Sequence, residues 1–175
     1  MPRPGWSHDS RGPIQPGGVG AVGSRAGVVD VRGALLYVYD AASLTAVGTV
    51  PAGNGPTHAV PDGSGRLVVA DTRGDALLTY DLGGASGPVR QVGRQPLPGK
   101  PYGLAVDETR HQLWVALSAT NVLVRFRVEA GGLRELARYP TVRQPNSLAV
   151  DESTGAVDVA GGTDGDLQIL APPAA

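Results

Sequence analysis

The side chains of this sequence best suited to chemistry recur in matching places. Thr57-His58, Tyr102-Gly103 and Asn146-Ser147 each directly follow a proline, at Pro56, Pro101 and Pro145. An imidazole can accept a proton or bind a metal, a phenol can stack and hydrogen-bond, and a carboxamide is a neutral ligand group. His58 is the one histidine so placed; His8 lies in the irregular N-terminus and His111 in a hairpin turn. No second histidine stands at metal-ligand spacing, so His58 reads first as a hydrogen-bonded histidine at a strand edge and second as a general base. Arg32 and Arg73 lie in two Asp-x-Arg-Gly turns, Asp30 to Gly33 and Asp71 to Gly74. Side by side they could grip an anion bidentately. The plainer expectation is that each pairs with its own Asp, a common surface pairing. Asn121, in the corresponding turn of the next stretch, joins them as a ligand-facing candidate. Asp62, Asp107 and Asp151 also recur, each at a polar turn between two apolar runs. Asp accepts backbone N–H groups in such turns, so these three are expected to be turn residues, with Glu108 and Glu152 beside them solvated.

These residues keep phase with an internal repeat. KPYGLAVDETRHQLWVA, from Lys100 to Ala116, and QPNSLAVDESTGAVDVA, from Gln144 to Ala160, are two copies of one pattern. The proline that opens each copy stands at Pro16, Pro56, Pro101 and Pro145, at intervals of 40, 45 and 44 residues. A second anchor follows 23 to 25 residues later, at Tyr39, Tyr80, Phe126 and Ile169. Within a copy the period is two: Val122 to Val128 alternates as a strand with one wet face should. The third copy reads as strands at 102–106, 112–116, 122–128 and 133–139. No stretch combines a helical period with a cap, and 26 Gly and 15 Pro supply the turns.

Four strands in about 40 to 45 residues is the size of one propeller blade. The expectation is therefore an all-β fold, a β-propeller built of four-stranded blades of about 44 residues. The blades run over about 16–55, 56–100, 101–144 and 145–170, after an irregular segment 1–15 and before a tail 171–175. The fourth copy stops after its third strand, so the blades form an incomplete arc of about four. Such an arc leaves two blade faces and a strand edge open. Closure by a second copy, or by further blades on the N-terminal side, is expected. The aromatic anchors are expected to wedge between blades.

Bulk properties narrow the function. Fifteen basic and sixteen acidic residues balance to a net charge of −1, which gives no field for nucleic acid or an anionic membrane. The chain has no cysteine, so disulfides, thiol catalysis and Cys-bound zinc are excluded. Residues 1–18 hold no apolar core of a signal peptide or anchor, and no apolar run approaches transmembrane length. The nucleophile elbow, the phosphate-cradling loop and the H-E-x-x-H zinc motif are all absent.

The pattern P-x-G-L-A-V-D…L-W-V-A…N-V-L-V-R-F, from Pro101 to Phe126, resembles the YVTN-type and NHL-type propeller repeats. More distantly it resembles the streptogramin lyase-like and gluconolactonase-like propellers. The first resemblance implies a non-catalytic binding or scaffold module without a cofactor, in a secreted or cell-envelope setting. Its channel face would carry Arg32, Thr57, His58, Arg73, Tyr102, Asn121 and Asn146 toward a small ligand, a peptide or a protein. The gluconolactonase-like resemblance implies Ca²⁺ or another divalent cation, held in a metal-assisted lactonase or lyase. Asn146, in Pro145-Asn146-Ser147-Leu148, resembles one ligand motif of that family, and Asp164 is its conceivable companion. Ser147 stands where that family has glycine, and no matching channel Glu is found. Ca²⁺ takes about 6–8 oxygens, more than this pair supplies. In the lyase-like comparison His58 is the base, with no partner acid.

Overall fold

Alternation of apolar and polar residues decides where the strands lie, and glycine-rich turns decide where they stop. The computed structural model describes residues 12–171. All fifteen elements in it are β-strands, in four antiparallel sheets. Blade 1 is β1 (Pro16–Val22), β2 (Arg25–Asp30), β3 (Leu35–Asp40) and β4 (Ala46–Pro51). Blade 2 is β5 (Pro56–Pro61), β6 (Leu67–Asp71), β7 (Ala76–Asp81) and β8 (Arg90–Pro96). Blade 3 is β9 (Pro101–Asp107), β10 (Gln112–Leu117), β11 (Val122–Glu129) and β12 (Gly132–Pro140). Blade 4 has three strands, β13 (Pro145–Asp151), β14 (Ala156–Gly161) and β15 (Leu167–Leu170). Residues 1–11 and 172–175, most of the expected N-terminal segment and tail, lie outside the described residues.

Each blade runs outward in sequence order, and its first strand packs on the first strand of the next blade. The first strands thus gather on the inner side of the arc. β1 approaches β5 closely because it is glycine-rich there. A Cβ on Gly18 would lie 2.5 Å from the Ala59 nitrogen, so only glycine fits. Gly103 does the same for β13, with the Asn146 carbonyl oxygen 2.9 Å from where a Cβ would stand.

The core lies between blades and is divided by the period of two. On β10, Leu113 and Val115 face blade 2 and pack with Val68, Ala70 and Leu77. Trp114, between them in sequence, faces blade 4 and packs with Val157 and Val159. Arg125 lies over the Trp114 and Tyr139 rings, 5.7 and 5.9 Å from their centroids, a stacking that suits guanidinium.

The anchors Tyr80 and Phe126 are fully buried at blade junctions, as expected, and Tyr39 is partly buried. The fourth anchor needs correcting. Tyr80 pairs with Leu67 and Phe126 with Leu113, and the residue paired with the equivalent Val157 is Leu170, not Ile169. One residue of slip turns a strand side chain to the other face, and Ile169 projects from the open side of blade 4.

The recurring aspartates act as turn residues. Asp62 accepts from Ser64 and Arg66 backbone N–H groups, and Asp107 from Arg110. Asp151 accepts from the Ser153 and Thr154 hydroxyls and the Ser153 N–H, which lower its pKa to about 2. Glu152 is not merely solvated. Its carboxylate accepts from the Glu108 N–H and the Thr109 hydroxyl, each at 3.3 Å, and so ties blade 4 to blade 3.

Candidate functional site

The turns between the second and third strands and the lead-in loops to the first strands meet at one end of the inner side. In blades 1 and 2 this end is filled. Asp30, fully buried, accepts from the N–H groups of Ile14, Gln15, Arg32 and Gly33. Burial works to raise its pKa, but the four N–H dipoles outweigh it and the net shift is downward. Asp71 accepts from Asn54, Gly55 and Gly74 at 2.8–3.1 Å. Each carboxylate therefore joins the lead-in loop of its own blade to the turn beside it.

Arg73 reaches across the junction. Its guanidinium donates to the Asn54 carbonyl at 3.0 Å and to the Val31 carbonyl of blade 1 at 3.2 Å. The expected local Arg–Asp pairs do not form. Both carboxylates already hold backbone N–H groups, and Arg73 is taken up by carbonyls. Arg32 is exposed at the same end.

Blades 3 and 4 differ. The pairing register places Leu117 and Gly161 where blades 1 and 2 carry Asp30 and Asp71. A cleft of about 440 Å³ lies between blades 3 and 4, lined by Tyr102, Ser118, Ala119, Gln144, Asn146 and Gly162. Tyr102 and Asn146, both anticipated, come together here. Asn121 stands behind them in a left-handed turn conformation (φ 56°), which Asn tolerates well. Its side-chain oxygen accepts from the Gln144 N–H at 2.9 Å and so fixes one wall of the cleft. In the preceding blade Asp75 has the equivalent role, accepting from the Gly99 and Lys100 N–H groups. The Ser118 hydroxyl donates to the Lys100 carbonyl at 3.0 Å. Ser118, Ala119, Gln144 and Gly162 were not anticipated. The signal was present, since the repeat breaks its own Asp pattern at Leu117 and Gly161.

Thr57 and His58 lie on the blade 2 side. The Thr57 and Thr72 hydroxyls are 2.7 Å apart, and Thr72 donates onward to the Pro101 carbonyl at 2.6 Å. The His58 ring rests against Tyr102, with centroids 4.7 Å apart and planes tilted by 59°. Its Nδ1 is buried without a hydrogen-bond partner, and among the described residues no carboxylate hydrogen-bonds to the ring. Burial holds its pKa below the ordinary 6.5, so the imidazole is neutral near pH 7. A folded-state pKa below the unfolded one means that stability is fully present above pH 6.5 and is lost as pH falls through the folded value. Denaturant unfolding followed between about pH 7.5 and 5 should show this decline, and His58→Asn should flatten it.

The Asp164 carboxylate lies 3.7 Å from the Arg143 guanidinium. Among the described residues no three His, Asp or Glu side chains are grouped to hold a metal ion. Among the same residues no helix is long and apolar enough to cross a membrane.

No family model and no curated protein sequence matches the chain. Solved structures do match in fold. A protein from Lactobacillus plantarum aligns with a TM-score of 0.77 and 21% identity, over 89% of this chain and 50% of its own. The Swd1 β-propeller domain of Myceliophteria thermophila gives 0.71 and 11%, over 90% and 54%. A streptogramin B lyase gives 0.66 and 14%, over 91% and 55%. The chain spans about half the length of these structures. At such identities the likeness establishes architecture alone: these four sheets are consecutive blades of a β-propeller, and they form an incomplete arc.

Proposed function

We propose that the arc is a non-catalytic binding module which takes a neutral, amide-bearing ligand, a peptide segment or a small molecule, at the blade 3–blade 4 cleft. The observation that carries this reading is the chemistry of the lining. Tyr102, Ser118, Gln144 and Asn146 offer an aromatic face, a hydroxyl and two carboxamides, and no lining residue is charged. Carboxamides both donate and accept, so they match a peptide group without demanding a counter-charge. The backbone bonds behind Gln144 and Ser118 keep the walls in place before binding, which limits the ordering cost. A secreted or cell-envelope setting accompanies this reading through the repeat resemblance.

A lyase or lactonase is the second reading. It is favoured by the neutral imidazole of His58 against Tyr102, the form in which a general base acts. It needs a partner acid or a cation, which the described residues do not place beside His58.

One experiment separates the two. Amide chemical shifts are recorded while a panel of capped tripeptides is titrated in, followed by Ca²⁺, Mg²⁺ and Mn²⁺. The binding reading predicts peptide-dependent shifts clustered at Tyr102, Gln144 and Asn146, with binding weakened about tenfold in Asn146→Ala, as for the loss of one hydrogen bond to the ligand. Peptides that leave the cleft unmoved, with an ion response that Asn146→Ala abolishes, would favour the enzyme.

A further inference from the structure

The arc repeats one blade-to-blade joint three times and leaves both halves of that joint open at its ends. On the third strands, Leu36, Leu77, Leu123 and Leu167 are equivalent, lying opposite Val29, Ala70, Ala116 and Ala160. The first three are 0%, 1% and 0% exposed beneath the following blade, whereas Leu167 is 66% exposed. Ile169, on the same face, holds the place of the fully buried Val38. Leu167 also borders a shallow hollow of about 140 Å³ floored by Leu148, Ala149 and Asp158.

The other end mirrors this. Val19 lies opposite Val28 on β2, as Ala59 lies opposite Val69 and Leu104 opposite Val115. Ala59 and Leu104 are 5% and 7% exposed against the preceding blade, whereas Val19 is 63% exposed. Val28 and Tyr37, paired on that same face, take the places of the buried Val69 and Leu78. Both terminal faces therefore carry the apolar side chains of a joint, in the register of a joint. Leaving such surface in water forfeits the free energy that its burial returns in the three joints already made.

The complement of each open face is present in the chain itself. Blade 4 ends in the face that receives a next blade, and blade 1 begins with the face that a next blade presents. We propose that a second copy of the chain fills both places. Blade 4 of each protomer seats on blade 1 of the other, giving an eight-bladed ring about a two-fold axis, within the 4–8 blades that propellers use.

Light scattering and native mass spectrometry on the full chain test this, and both substitutions below sit at exposed positions that a folded protomer tolerates. The expected species has twice the 17.8 kDa mass of the chain. Leu167→Arg on blade 4 and Val19→Arg on blade 1 should each abolish the dimer while leaving the circular dichroism of the protomer unchanged. Mixing the two variants should restore a dimer, because one of its two joints then joins an unaltered blade 4 to an unaltered blade 1. A monomer at tens of micromolar would overturn the proposal and leave the faces to further blades of a longer polypeptide. A dimer indifferent to Val19→Arg would also overturn it, since that outcome means blade 4 pairs with blade 4. Open filaments would overturn ring closure.

Discussion

Phe126→Ala is expected to cost about 3–5 kcal/mol of unfolding free energy, the range for removing a large aromatic from a packed core. Phe126 is fully buried, and its cluster draws Val68, Ala70 and Leu77 from blade 2 and Leu113, Val115 and Val124 from its own blade. The lost contacts therefore lie largely between blades. In a repeat architecture each unit touches only its neighbours, so a junction carries the coupling that makes separate sheets unfold together. A second outcome follows from that position. If the junction is weakened enough, urea unfolding should broaden or divide, with blades 3 and 4 parting from blades 1 and 2. Phe126→Leu keeps most of the volume and should cost under about 1.5 kcal/mol with one transition retained. Val92→Ala, on the partly exposed outer strand of blade 2, should stay within about 0.5 kcal/mol. A Phe126→Ala loss below about 1 kcal/mol would show that blades 2 and 3 repack without it.

The blades were legible because their signals are local. Prolines at a fixed spacing, alternation of period two and Asp in tight turns each act within a few residues, and Asp62, Asp107 and Asp151 took the turn role their chemistry dictates. The misreadings came where one residue of register or one competing acceptor decided the matter. Ile169 and Leu170 are both apolar neighbours, and only the pairing of Val157 with Leu170 tells which one enters the joint. Arg73 was expected on Asp71 because they are close in sequence. The carboxylate had nearer claimants in the lead-in loop, and that loop is joined to the turn only by the fold. The candidate site was half legible for the same reason. Tyr102 and Asn146 stand out by type and position, while Ser118, Ala119 and Gly162 matter by what they are not. They directly follow Leu117 and Gly161, the positions where the Asp of the first two blades is replaced.

Asp71 itself gives the second large effect. Its Oδ1 accepts from three backbone N–H groups, of Asn54, Gly55 and Gly74, and the residue is 2% exposed. Replacement by Ala takes the acceptor from all three donors, the Gly55 N–H in a buried place and the Asn54 and Gly74 N–H groups in partly buried ones. A buried donor left without its partner costs about 1–3 kcal/mol. Part of that is recovered where the turn can open to water, so a total of about 2–4 kcal/mol is expected. Asp71→Asn keeps an oxygen at the same place and gives up only the charge, so it should lose about 1 kcal/mol. Asp71→Leu copies what blade 3 carries at Leu117, yet it should fare no better than Ala. Blade 3 survives its leucine because Ser118 and Ala119 bond back to the carbonyls of Lys100 and Gly99. Blade 2 has built its lead-in loop around an acceptor, with Gly53 at φ +81° pressed against the carboxylate. Denaturant midpoints at constant m-value would rank the three variants. The order Asn above Ala and Leu would identify the carboxylate as the organiser of this end of the inner face. A neutral Asp71→Leu would mean that loop and turn hold each other unaided.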